Sequence, residues 1–370
     1  MSVYRKLQQH LDKYPVGFPE TETAVEIEIL KSFFSPLEAG IVLCLSITPN
    51  SIFRILVRYR LMWEKRITFT ELRKSLEKLY MEGSIIKSSN GKYSLAFLAI
   101  GMFEFHVDDL TPKLMKLMHS YFEEGFGNEF FRGGIPQLRT SPHLKALSPE
   151  YKVDTYDNIR QFVSNWDDKI GVANCVCKQG EKELGKSCKQ VTDFEICLFF
   201  GESPYIERDR GRYISKTECL GILERSERDG LVIQPGNTLK PFCICLCCGC
   251  CCGVLTSAKK RKDPSSLFAT NYAADFNKDL CINCGICISR CQMDAFSKSD
   301  GTIIFSSNKC IGCGLCVTTC PVGAVKLKKK KKPVRPPLSI ELLYLKILAQ
   351  KSSKYEFTKS LIKLALGMRL

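Results

Sequence analysis

Cys281, Cys284, Cys287 and Cys291 are spaced C-x2-C-x2-C-x3-C, and Cys310, Cys313, Cys316 and Cys320 repeat that spacing 29 residues later. The offset is the same at every cysteine. Ile282/Ile311, Gly285/Gly314 and Ala295/Ala324 coincide under the same shift, so the segment is an internal duplication. Thiolates are soft ligands, and dense sets of them select zinc or iron–sulfur groups. Gly285 and Gly314 suit a close backbone turn in which amide N–H groups can point at sulfur. The bland alternative is a pair of four-cysteine zinc sites, or buried thiols without a ligand.

A second concentration of thiols lies upstream. Cys175, Cys177, Cys188 and Cys197 form one set, and Cys243, Cys245, Cys247, Cys248, Cys250, Cys251 and Cys252 form another, with Cys219 alone between them. Twelve thiols in 78 residues exceed any packing need. Alternation along an extended strand places Cys243, Cys245 and Cys247 on one face and Cys248, Cys250 and Cys252 on the other. We expect Cys175, Cys177, Cys188, Cys197, Cys245, Cys247, Cys248, Cys250, Cys251 and Cys252 to ligate metal. Iron–sulfur, zinc and thiol redox chemistry are all open to them.

The duplicated segment resembles a bacterial-type ferredoxin carrying two [4Fe–4S] clusters. That resemblance implies that three thiolates of each loop meet one cube and that the fourth comes from the other motif. One cluster then takes Cys281, Cys284, Cys287 and Cys320, and the other takes Cys310, Cys313, Cys316 and Cys291. Gln292 stands where the first motif of such proteins usually has proline. The whole layout is similar to a larger group of dicluster ferredoxin-domain proteins of anaerobic bacteria and archaea, which have a winged-helix-like N-terminus and C-x-C and C-x-C-C-x-C-C-C elements. Lys178 replaces the arginine usual after the C-x-C element, and Cys243 is extra. The resemblance implies a further iron–sulfur centre in the middle of the chain.

The elements that must position these residues read as an α+β, multidomain chain. Residues 26–107 read as three helices and a hairpin, a winged-helix-like domain. Ser35-Pro36-Leu37-Glu38 and Thr68-Phe69-Thr70-Glu71 are capping boxes, and Asn90-Gly91 is a hairpin turn. The second box opens a helix burying Leu72, Leu76, Leu79 and Tyr80 and ending at Gly83. Residues 151–256 form a cysteine-rich α/β middle domain. There Ile170–Ala173 is a strand, and Ser215 to Glu218 caps a helix that ends at Asp229-Gly230. Residues 269–325 form the two-cluster domain, and 326–370 a basic helical tail.

Composition bounds the function. The 370 residues include 21 cysteines, an odd number and an unusual basis for a disulfide framework, so a reducing cytoplasmic setting is expected. No apolar stretch approaches the roughly 20 residues that span a bilayer. From Pro321 to Leu370 there are 13 basic and 2 acidic residues, so the rest of the chain is close to neutral. There is no phosphate-binding glycine loop, dinucleotide fingerprint or nucleophile elbow, and His10, His106, His119 and His143 are scattered.

The expected role is one-electron transfer between redox partner proteins. The alternatives are a redox-responsive winged-helix regulator and an accessory or assembly subunit of an anaerobic oxidoreductase. Against DNA, the candidate recognition helix carries Arg73, Lys74 and Lys78 against Glu71, Glu77 and Glu82. The preceding helix, with Arg54, Arg58, Arg60, Lys65 and Arg66, is basic. The tail, with its Lys328–Lys332 run, is either helices packed on the body or a dock for an acidic partner or anionic membrane.

Overall fold

A computed structural model describes residues 1–64, 66–148, 153–154 and 156–370. Lys65 of the basic helix and Tyr151, where the middle domain is expected to begin, lie outside them. The elements in chain order are α1 (Val3–Leu11), α2 (Val25–Phe33), α3 (Pro36–Val42), α4 (Ile52–Met62), α5 (Phe69–Glu82), β1 (Ile85–Lys87), β2 (Tyr93–Leu95), α6 (Phe103–Phe105), α7 (Pro112–Tyr121) and α8 (Gly127–Phe130). Then come α9 (Ile159–Ser164), β3 (Ile170–Asn174), α10 (Val176–Glu183), β4 (Glu195–Phe200), α11 (Pro204–Glu207), β5 (Gly211–Ile214), α12 (Lys216–Arg228), β6 (Val232–Pro235), β7 (Cys243–Cys247) and α13 (Gly253–Lys259). Last are β8 (Tyr272–Phe276), α14 (Ile286–Arg290), β9 (Phe296–Ser299), β10 (Thr302–Phe305), β11 (Val325–Lys329), α15 (Ile340–Lys351) and α16 (Lys354–Ala365). The chain is thus mixed helix and strand. Among the described residues no helix is long and apolar enough to cross a membrane.

Two compact units share these elements. The first comprises Met1–Gly133, Pro204–Arg210 and Tyr344–Leu370; the second comprises Gly134–Ser203 and Gly211–Leu343.

In the first unit local chemistry sets the helix boundaries. Ser35 and Thr68 each accept a hydrogen bond from the backbone N–H three residues on, and Glu38 and Glu71 reach back to the cap, so both capping boxes close. α5 buries Leu72, Leu76, Leu79 and Tyr80 and stops at Gly83, whose φ of 96° is left-handed. β1 and β2 pair antiparallel around the Asn90-Gly91 turn. From Tyr344 onward the terminal helices belong to this unit: Lys351 donates to the carbonyls of Tyr14 and Pro15 and to the Glu129 carboxylate.

The second unit is built on an antiparallel sheet of order β5-β3-β4-β7-β6. Successive strand residues face opposite sides. Ile170, Val172, Ile196, Leu198, Ile244 and Leu246 pack into one core with Ile159 and Val163 of α9 and Ile222 and Leu223 of α12. Cys197, Cys243, Cys245 and Cys247 alternate with them and lie on the other face. Beyond α13 come two small antiparallel pairs, β8 with β11 and β9 with β10. The β9–β10 turn is Asp300-Gly301, both at positive φ, the geometry that suits a two-residue hairpin. A buried ion pair, Arg139 to Asp157 at 2.6 Å, sits where Asn271 donates to the second oxygen of Asp157 at 2.8 Å. It fixes the start of β8 against the segment that precedes α9.

Candidate metal centres

In the duplicated segment the two loops have matching backbones. Asn283 and Gly312, equivalent under the repeat, have φ of 52° and 71°, and Gly285 and Gly314 have 81° and 83°. Left-handed residues at these two places curl each loop around its own thiols. Glycine is required at 312 for a further reason: a Cβ there would lie 2.2 Å from the Tyr272 carbonyl oxygen. At 314 it would lie 2.5 Å from Ala146 Cβ.

Two cavities of about 370 and 320 Å³, counted with their openings, lie between these loops. Cys310, Cys313, Cys316 and Cys291 line the first, with Ala274, Phe296, Leu315 and Leu327. Cys281, Cys284, Cys287 and Cys320 line the second, with Phe276, Ile303, Pro321 and Val325. In each case three thiols of one motif share a cavity with the last cysteine of the other. Backbone amides point at the sulfurs: Ala274 N–H to Cys310 at 3.3 Å, Ala295 N–H to Cys291 at 3.2 Å and Asn283 N–H to Cys281 at 3.4 Å. Burial pushes the Cys313 thiol up to about 12 and that of Cys316 well above the ordinary range. An apolar wall thus opposes a bare thiolate, and a bound cation offsets that opposition. Donor set, crossed lining and N–H···S bonds all fit [4Fe–4S] groups. Cys284 is exposed, and exposed Ile282, Ile286 and Val322 line the same cavity.

The middle thiols divide into two groups. β7 ends at Cys247; Gly249–Cys251 form a tight turn and Cys252 caps α13. The alternation runs through Cys247, and Cys248 and Cys250 leave that face and pack with the sheet core; Cys252, expected with them, is brought back toward Cys247 by the turn. One group is a string of sulfur–sulfur contacts: Cys175 with Cys177, Cys177 and Cys247 with Cys252, and Cys247 and Cys243 with Cys245. The neighbouring thiols hold Cys252 down at about 5 and Cys245 well below the thiol range. Cys197 sits on the same sheet face, paired with Ala173 and one step beyond the Leu198–Ile244 pair. Directly opposite Cys245 is Gln234, fully buried, whose side-chain nitrogen and oxygen both lack a hydrogen-bond partner among the described residues. A buried orphan amide aimed at the thiol face fits a group bound there.

The other group is Cys188, Cys248, Cys250 and Cys251. Lys178, 1% exposed, donates to Cys248 at 3.1 Å. Burial works against its charge, and the sulfurs of Cys175 and Cys248 outweigh burial, so the ammonium is retained. Cys219, wholly buried in the sheet core, stands apart from both groups as a packing residue. Of the histidines, His10, His106 and His143 are buried against the carbonyls of Leu45, Met102 and Leu231.

Three residues that the cysteine pattern does not reveal tie these sites together. Gln292 Oε1 accepts from Gly249 N–H at 2.7 Å, so the Cys248–Cys251 turn is fastened to the residue after Cys291. Lys259 adds a bond to the Gly249 carbonyl at 3.2 Å and an ion pair with Asp294 at 3.0 Å. Arg290 donates to the carbonyls of Glu227 and Arg228 at the end of α12.

Residues 274–327 match the family model of a 4Fe-4S dicluster domain, so this part of the chain is a ferredoxin-type domain. No curated protein and no solved structure matches the chain.

Proposed function

We propose that the protein carries single electrons between partner oxidoreductases. Two [4Fe–4S] groups do this, one on Cys281, Cys284, Cys287 and Cys320 and one on Cys310, Cys313, Cys316 and Cys291. The crossed lining of the two cavities carries this reading, because each holds four thiols in an apolar wall with at least one backbone amide aimed at sulfur. When bound, each group supplies a one-electron couple at constant protein ligation. The residues of the chain do the rest. The amides of Ala274, Ala295 and Asn283 stabilise negative charge on sulfur, while Phe276, Phe296 and Leu327 keep water from the walls. Exposed Cys284, with exposed Ile282, Ile286 and Val322 around the same cavity, offers a partner protein a short approach through an apolar patch.

The sheet-face thiols Cys175, Cys177, Cys197, Cys245, Cys247 and Cys252 would hold a further iron–sulfur centre, toward which the orphan Gln234 amide would serve as a donor. The helices and hairpin of residues 26–107, read as a winged-helix-like domain, contact protein rather than DNA. Support comes from the neutral α5 and from α4, where Phe53, Val57 and Leu61 are 69%, 42% and 83% exposed and line one face. On the same helix Arg58 is committed to the Cys44 carbonyl. The Lys328–Lys332 run adds attraction for an acidic partner or anionic surface, weakened by salt.

The test is anaerobic purification of the full chain with counts of iron and acid-labile sulfide. At least eight of each per chain are expected for two cubes, with colour that bleaches on reduction. Cys313→Ala should lose one cube or convert it to a three-iron form. Full-length protein without sulfide would overturn the reading.

A further inference from the structure

The second thiol group differs in scale from a cluster site. Its sulfurs are separated by 3.8 Å (Cys188–Cys248), 3.9 Å (Cys188–Cys250), 3.4 Å (Cys248–Cys250) and 3.6 Å (Cys250–Cys251), and all four lie within 4.8 Å of one another. Four thiolates around one tetrahedral ion, with metal–sulfur bonds of about 2.3 Å, have sulfur–sulfur edges of about 3.8 Å. A cube instead places each thiolate on its own iron and so spreads the four sulfurs farther apart. We propose that Cys188, Cys248, Cys250 and Cys251 bind a single four-coordinate soft metal ion, zinc or iron, in a site separate from every iron–sulfur group of the chain.

The surroundings meet the other requirements of such a site. Four thiolates on a divalent ion carry a net charge of about −2, and half-burial makes that costly. Lys178 supplies a buried positive charge at 3.1 Å from Cys248. A backbone N–H of Lys189 donates to Cys250, and Gly249 N–H is held by Gln292, so the ligand turn is fixed from both sides. The ligands also come from two places: Cys188 from the loop between α10 and β4, the other three from the turn after β7. A bound ion would pin that loop to the sheet. Entry is open, because Cys188 borders a groove of about 850 Å³, counted with its opening, lined also by Gln190, Asp193 and Arg225.

The inference shares the middle domain with the proposed iron–sulfur centre but not its ligands, and elemental balance separates the two. Anaerobically purified full-length protein should contain one zinc or iron per chain in excess of the iron that acid-labile sulfide accounts for. Protein grown with cobalt(II) should take up one equivalent with the ligand-field bands of a tetrahedral thiolate site. Cys188→Ser should remove that one ion and its bands while iron and sulfide stay unchanged. Lys178→Met should keep the ligands but release the ion at lower chelator concentration, by about tenfold.

Loss of several irons with equal sulfide in Cys188→Ser would assign the quartet to a cluster and overturn the inference. So would wild-type protein whose metal is fully balanced by sulfide, a result that does not depend on how any variant folds. Failure of the dicluster reading would show instead as missing sulfide, with the sulfide-free ion still present.

Discussion

Gln292 occupies the place that Pro321 holds in the second repeat, and the structure gives the substitution a purpose. A proline has no side-chain acceptor, whereas the Gln292 amide oxygen takes the Gly249 N–H at 2.7 Å and joins the middle-domain turn to the residue beside Cys291. Removing it with Gln292→Ala leaves that N–H unpaired in a half-buried setting, which costs about 1–3 kcal/mol. The variant should unfold at lower urea concentration, read on Trp166 in a Trp63→Phe background, and keep its full iron and sulfide content. Gln292→Glu, which retains an acceptor, should recover most of the loss. Equal stability of Gln292→Ala and wild type would mean that the bond only decorates the turn.

At the scale of elements, the two ferredoxin loops share a backbone but not a neighbourhood, and this allows a sharper comparison than deleting ligands. Asn283 and Gly312 are both left-handed, and asparagine tolerates that region better than other side chains. Asn283 is possible because its side chain is used: its Oδ1 accepts from Ile303 N–H at 2.9 Å. At Gly312 the same backbone lies against β8, where any Cβ meets the Tyr272 carbonyl. Gly312→Asn should therefore push the loop off β8 and lose about half of the dicluster iron. Asn283→Gly should keep all of it. Equal iron in both variants would show that β8 does not set the loop.

The same contrast explains what the sequence makes legible. Capping boxes, the Asn90-Gly91 turn, the end of α5 at Gly83 and the 29-residue repeat are local, decided within a few residues by backbone chemistry or by direct comparison. The sheet-face alternation of Cys243, Cys245 and Cys247 is local too. What surrounds the thiols is not. Lys178 meets a cysteine 70 positions away and Gln292 a glycine 43 positions away, and no spacing rule reaches that far. Strand periodicity sets Cys248 and Cys250 apart from Cys243, Cys245 and Cys247 but misplaces Cys252, because a turn at Gly249–Cys251 replaces the strand just where the two groups separate.

For the whole molecule, the two cysteine-rich stretches lie in one compact unit, and in the other unit two buried histidines, His10 and His106, set a pH liability. His10 is held down at about 3 by burial, with Arg369, Lys13 and Arg58 adding repulsion, while a hydrogen bond to the Leu45 carbonyl works the other way. His106 is held at about 4, again chiefly by burial. Both have an ordinary value near 6.5 when unfolded. Between that value and the folded one the unfolded chain binds a proton that the folded chain refuses, so stability rises with pH across the window and is lost as pH falls below 6.5. Each histidine can contribute a slope of up to about 1.4 kcal/mol per pH unit there. We expect the unfolding midpoint of this unit, read on Trp63 in a Trp166→Phe background, to fall steadily from pH 6.5 to 5. His10→Gln, which can still donate to the Leu45 carbonyl but cannot take up a proton, should lie below wild type at pH 7 and lose less on acidification. Its slope should be smaller by about the share of one group. Parallel pH profiles for wild type and variant would show that His10 protonates freely in the folded unit and that its burial carries no pH-dependent cost.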